Sequence, residues 1–117
     1  IIVLCDRHTD STVAYQGYGR QLDIEQIKKL NEIAVNGLKP NLTIVFDIDI
    51  ETSMQRVGKT KDRMESAGTE FFNRVRNGYL AIAKEEPNRV KVINSADSIE
   101  NIHKQVVGLV EQIAKLA

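Results

Sequence analysis

The sequence predicts an α/β protein, a parallel sheet with helices on its flanks, and two observations carry that reading. Three short runs, Ile1–Cys5, Leu42–Phe46 and Val90–Ile93, are apolar and β-branched without polar alternation, as strands are when both faces of a parallel sheet are covered. The stretches between them carry apolar residues at helical spacing and are long enough to cross over the sheet. Alternating strand and helix implies right-handed crossovers in one layered unit of three strands. All 117 residues fit a single domain with no linker and no internal repeat.

In chain order, Ile1-Ile2-Val3-Leu4 reads as a buried strand already under way, so a segment before it is expected to have been removed. Cys5 ends this run and is expected to be a buried thiol. A short helix starts near Ser11. Ile24, Ile27, Leu30, Ile33 and Ala34 form one stripe of a helix capped by Asp23, with Gln26 three residues on. Asn36-Gly37 and then Pro40 stop it. After the second strand a shorter helix covers Glu51 to Val57.

The segment Gly58–Gly68, GKTKDRMESAG, is irregular, basic and too polar for a core. A helix from Thr69 to Lys84 follows, with Phe72, Val75, Tyr79, Ile82 and Ala83 inward, and it ends before Pro87. The last helix is capped by Asp97 with Glu100 reaching back. Its inward stripe is Ile99, Ile102, Val106, Leu109, Ile113 and Leu116.

Composition narrows the function classes. Sixteen basic residues balance sixteen acidic ones, so no overall field draws nucleic acid or an anionic membrane. No stretch approaches the ~18 apolar residues of a membrane span, and no signal peptide is visible. One cysteine makes no internal disulfide, which suits the cytoplasm. Any anion site must be built locally.

Ligands of parallel α/β sheets bind beyond the carboxyl ends of the strands. That rule selects Asp6-Arg7-His8, Asp47 with Asp49, and Asn94–Asp97. An arginine at such an edge grips phosphate bidentately, and an adjacent carboxylate holds it or approaches a magnesium shell; a local ion pair closing the strand end is the plainer reading. Thr12 and Gln16 fall one turn apart on one helix face. Their hydroxyl and carboxamide suit the edge of a base, with Tyr15 as a flat wall. His8 is expected to pack, His103 to lie on a helix surface, and Met54 and Met64 to fill gaps.

Asp6-Arg7-His8, then Ser11-Thr12 and Ala14-Tyr15-Gln16, fill without a break a pattern that resembles the signature of the thymidylate kinase family, in its bacterial form. The resemblance continues through Leu30-Asn31, Gly37-Leu38-Lys39-Pro40 and Leu42-Thr43-Ile44. It then reaches Asp62-Arg63-Met64-Glu65 and Phe71-Phe72 with Tyr79, so that it spans the whole chain. It implies part of a P-loop nucleoside monophosphate kinase fold and ATP-dependent phosphorylation of dTMP to dTDP, in dTTP biosynthesis. By the same resemblance Arg7 holds the dTMP phosphate, and Asp6 lies near Mg2+ and the transferring group. Ser11 is placed at the substrate, Thr12 and Gln16 lie at the thymine edge, and Tyr15 packs by the deoxyribose. Arg63 in a lid (about 58–68) closes over the ATP phosphates with Lys59 and Lys61, and Ala96 and Asp97 border the adenine. A homodimer is implied too, for which the stripe of Ile24–Ala34 offers a face.

A phosphate-binding loop, G-x-x-x-x-G-K-[ST], cradles nucleotide phosphates with backbone N–H groups and a lysine. No such run occurs here. Gly58-Lys59-Thr60 has the last three residues, but Met54-Gln55-Arg56-Val57 supplies no first glycine at the required spacing. Residues 1–117 are therefore expected to be the C-terminal part of one kinase domain, with acceptor motif 4–16. The P-loop segment would come from upstream, as a companion chain or after cleavage, and this chain alone would be inactive. Three alternatives stay open: a receiver-like signalling module, a nucleotide-binding protein without catalysis, and another nucleoside monophosphate kinase. The first lacks the acidic neighbour of Asp6 and a lysine after Val90–Asn94.

Overall fold

A computed structural model describes residues 1–57 and 68–116. Helix α1 (Thr9–Thr12) runs straight into a π-helical segment, Val13–Gly19, and α2 (Ile24–Ala34) follows. Strand β1 (Thr43–Asp47), α3 (Ile50–Val57), α4 (Gly68–Glu85), β2 (Val90–Asn94) and α5 (Ile99–Leu116) complete the order. The two strands pair in parallel, from Thr43 opposite Val90 to Asp47 opposite Asn94. The expected architecture of parallel strands with flanking helices is present.

The third expected strand is not. Ile1–Cys5 has no regular structure, and Ile1, Ile2, Val3 and Leu4 are exposed. A strand needs a neighbour for its N–H and C=O groups, and among the described residues β1 pairs with β2 alone. Cys5 is exposed as well, its thiol donating to the Arg7 carbonyl at 3.4 Å. The buried thiol expected there is corrected on the same ground, since no sheet covers it.

The caps show how local chemistry sets the boundaries. Asp23 accepts from the backbone N–H groups of Glu25 and Gln26 at 3.0 and 3.3 Å, as its position predicts. Asn36 and Gly37 both take positive φ, 54° and 74°, which ends α2. Helix α5 starts one residue later than expected: Ser98, not Asp97, accepts from Asn101 N–H at 3.1 Å. Ile99, expected inward, is exposed, and so are Leu30, Ile33 and Ala34 of α2.

The core lies between α4, the π-helical segment and the sheet, and is centred on Val13, Ala14, Val45, Val75, Ile82 and Val90. Glycine makes the close contact possible. A Cβ on Gly19 would meet Phe71 and Val75 at 2.8 Å, and one on Gly78 would meet Tyr18 at 2.7 Å. Each glycine therefore lets a side chain of the other segment, Phe71 and Val75 of α4 or Tyr18 of the π-helical segment, pack directly on its backbone. The π geometry is visible in Arg20 N–H, which donates five residues back to the Tyr15 carbonyl at 2.9 Å.

Candidate functional site

Part of the motif that begins at Asp6-Arg7-His8 converges on one open cleft of about 520 Å³. Arg7, Ser11, Thr12, Tyr15 and Gln16 line it. Thr12 and Gln16, expected on one face, do share it, although the intervening turn is π-helical rather than α-helical. Asn31 and Ala34 of α2, with Val35 just beyond it, line the cleft as well. Reading along the sequence assigned Asn31 no site role, although Leu30-Asn31 is part of the resemblance.

Arg7 occupies the left-handed region, φ 64°, a conformation that costs a non-glycine residue about 1–2 kcal/mol. Its guanidinium lies over Tyr15, 4.8 Å from the ring centroid, and Nη2 donates to the phenol oxygen at 3.0 Å. Tyr15 is in turn packed edge-on against Tyr79, at 6.3 Å between centroids, and tilted against Phe71 at 6.1 Å. The ring has only two χ angles to fix, so Arg7 is presented by a braced side chain. Ser11 shares a 2.6 Å hydrogen bond with the Tyr79 hydroxyl, and burial pushes the Tyr79 phenol pKa up. His8 borders the cleft, and its Nδ1 is buried without a hydrogen-bond partner among the described residues.

The other positions selected by the strand-end rule make hydrogen bonds within the fold. Asp47 binds Arg76 bidentately at 2.7 and 3.0 Å, and its carbonyl accepts from Ser95 N–H and Oγ. Asp49 caps α3 through Thr52, whose backbone N–H and hydroxyl hold its carboxyl below the usual range. Asp97 is exposed and accepts from Asn101 Nδ2 and Ser98 N–H, which lower its pKa in that order. Ala96 N–H donates to Asn94 at 3.0 Å. Asp6 is exposed and stands outside the lining of the cleft. Lys59, Lys61 and Arg63 lie outside the described residues.

A family model for thymidylate kinase matches residues 1–106. The chain belongs to the thymidylate kinase family. A thymidylate kinase of Sulfurihydrogenibium sp. is 47% identical over 111 residues, covering 95% of this chain and 54% of the relative. One from Kosmotoga olearia is 44% identical over 108 residues, covering 91% and 52%. The crystal structure of the thymidylate kinase from Ehrlichia chaffeensis superposes with a TM-score of 0.70 at 34% identity, covering 94% of this chain and 49% of that one. The fold is thus that of the P-loop nucleoside monophosphate kinases, and the chain spans about half the length of the thymidylate kinases it matches.

Among the described residues no group of three His, Cys, Asp or Glu side chains is placed to hold a metal ion. Magnesium in thymidylate kinases needs no such cage, because Mg2+ keeps several waters and binds through one or two carboxylates plus nucleotide phosphates. Asp6, exposed and free to take water-bridged contacts, fits that demand. No helix among the described residues is long and apolar enough to cross a membrane.

Proposed function

We propose that this chain carries the acceptor half of a dTMP kinase, which transfers a phosphoryl group from ATP to dTMP and releases dTDP and ADP. The observation that supports this best is the convergence of Arg7, Thr12, Tyr15 and Gln16 on one cleft. A phosphate oxygen of dTMP attacks the γ-phosphorus of ATP, and the bond from that phosphorus to the ADP oxygen breaks. Such transfer needs position and charge neutralisation more than covalent help from protein groups.

Arg7 leaves the Tyr15 hydroxyl to grip the acceptor phosphate and neutralises it. Ser11 keeps the helix start in place beside the substrate. Thr12 and Gln16 meet the thymine edge, while Tyr15 packs against the deoxyribose and crowds out a ribose 2′-hydroxyl. Asp6 would hold Mg2+, which supplies charge neutralisation when bound. Arg63, with Lys59 and Lys61, closes over the ATP phosphates as a lid (about 58–68), and Ala96 and Asp97 border the adenine.

Residues 1–117 then form the C-terminal part of one kinase domain, working in the cytoplasm. The donor cradle comes from a companion P-loop segment, in the same polypeptide or a separate one, because no G-x-x-x-x-G-K-[ST] run is present in this sequence. The open side of β1 and the exposed Ile1–Leu4 suit such a segment. The exposed Leu30 and Ile33 of α2 suit a homodimer.

Isothermal titration tests the acceptor reading directly. Saturable binding of dTMP, preferred over GMP and UMP and lost in Arg7→Ala, is the expected result. Equal or stronger binding of GMP, or no binding with the P-loop segment supplied, would overturn it. A nucleotide-binding chain without catalysis would bind dTMP yet form no dTDP with ATP, Mg2+ and that segment present.

A further inference from the structure

Thr9, Asp10 and Ser11 are tied to three different parts of the fold. The Thr9 carbonyl accepts from Asn31 Nδ2 of α2 at 3.2 Å, and Ser11 meets Tyr79 of α4. Asp10 goes to the sheet. It is 8% exposed, the one buried charged residue among those described, and its two oxygens accept from Arg89 Nη2 and Nη1 at 2.8 Å each. Thr43 Oγ1, at the start of β1, donates to the same carboxylate at 2.7 Å. Glu86 completes the cluster, accepting from Arg89 at 2.6 and 3.2 Å. None of Asp10, Thr43, Glu86 and Arg89 lines the cleft.

This cluster carries more than packing. A bidentate guanidinium–carboxylate pair fixes angle as well as distance, and breaking a buried pair from one side leaves an unmatched charge. Asp10 stands three residues after Arg7 and two before Thr12. On the other side of Arg7, residues 1–5 pair with no strand among the described residues. The left-handed turn at Arg7 is therefore held chiefly from its C-terminal side, where Asp10 has the most hydrogen bonds.

We propose that Arg89 is a positioning residue of the acceptor cleft: through the bidentate pair with Asp10 it fixes the backbone from His8 to Thr12, and so the reach of Arg7, Thr12 and Gln16. The ligand, dTMP, rests on the function proposed above; the positioning does not.

The test combines amide hydrogen exchange with dTMP titration on the full-length protein, wild type and Arg89→Ala, Arg89→Lys and Asp10→Asn. In Arg89→Ala the amides of Ser11–Gln16 should exchange about tenfold faster or more, relative to those of β1 and β2. The dTMP affinity should fall about tenfold. Lysine keeps the charge without the fork, so Arg89→Lys should recover global stability but not the affinity. Unchanged relative protection of Ser11–Gln16 would overturn the proposal, as would a uniform loss of protection with unchanged affinity per folded molecule. If Arg89→Ala does not fold, Arg89→Lys and Asp10→Asn decide between the same outcomes. Selective loosening in a protein whose wild type binds no dTMP would support the positioning and remove the substrate reading alone.

Discussion

Arg7 and Tyr15 are clasped to each other: the guanidinium carbon stands 4.8 Å from the ring centroid while Nη2 donates to the phenol oxygen at 3.0 Å. The arginine is exposed and the tyrosine only partly so, so the ring is the guanidinium's chief support. An exposed cation–π contact is worth about 0.5–1 kcal/mol. Tyr15→Phe keeps the face and loses the hydroxyl, so dTMP affinity should change by less than about threefold. Tyr15→Ala also removes the wall of the cleft, and affinity should fall about tenfold or more. Isothermal titration of both variants checks this. Wild-type affinity in Tyr15→Ala would mean that Arg7 finds the phosphate without the ring.

The Ser11–Tyr79 hydrogen bond, 2.6 Å long, joins residues 68 positions apart in the chain. Ser11→Ala and Tyr79→Phe should each lower unfolding free energy by about 1 kcal/mol. Because the two hydroxyls share one bond, the double variant should lose less than the sum, with a coupling of about 1 kcal/mol. Urea denaturation of the four proteins measures it, and strict additivity would count against a shared bond.

Acid should act through Asp10 and Glu86. Burial alone would raise the Asp10 pKa, but hydrogen bonds from Arg89 and Thr43 and the charge of Arg89 outweigh it and hold it below the usual carboxylate range. The hydrogen bond from Arg89 leads the causes that lower Glu86. A carboxylate with a depressed folded-state pKa stabilises the fold above its unfolded value and loses that stabilisation as pH falls through the folded value. Thermal stability should thus be level above about pH 5 and drop increasingly below about pH 4. Asp10→Asn should start lower at neutral pH and show a flatter acid limb. Melting curves across pH 2.5–7 read both.

Two glycines separate packing from helix propensity. At Gly78 a Cβ would stand 2.7 Å from Tyr18 Cβ and 2.8 Å from Cγ, atoms with little room to give. Gly78→Ala should cost about 1–3 kcal/mol through overpacking. At Gly108 in α5 nothing lies within 4 Å of the added carbon, so Gly108→Ala should stabilise by about 0.5–1 kcal/mol. Denaturant melts should move in opposite directions.

Much of this was legible because it is local. Asp23 states its cap, Asn36-Gly37 states its stop, and the apolar runs at 42–46 and 90–93 state their strands to within one residue. The motif residues Arg7, Ser11, Thr12, Tyr15 and Gln16 were legible as a group, and the fold gathers them on one cleft. What failed depended on distant partners. The apolar run at Ile1–Cys5 looks like a strand, yet strand formation is a property of a pair. Asp10 and Arg89 are 79 residues apart, and nothing near either announces the other. Asp47 looked like a ligand group by position, but its partner Arg76 comes from α4, 29 residues further along the chain. Asn31 joins the cleft only because α2 folds back beside the motif.

The π-helical segment from Val13 to Gly19 sets a rule about winding. Each of its turns takes in more residues than an ordinary helical turn. Were the same residues wound as an α-helix, everything beyond them would swing by roughly 100° around the axis. Gly19 would leave Phe71 and Val75, Gly17 would leave Ile24, and α2 would set off from the wrong side of the cleft. A change that tightened this turn would thus be felt first where α2 borders the cleft, at Asn31 and Ala34.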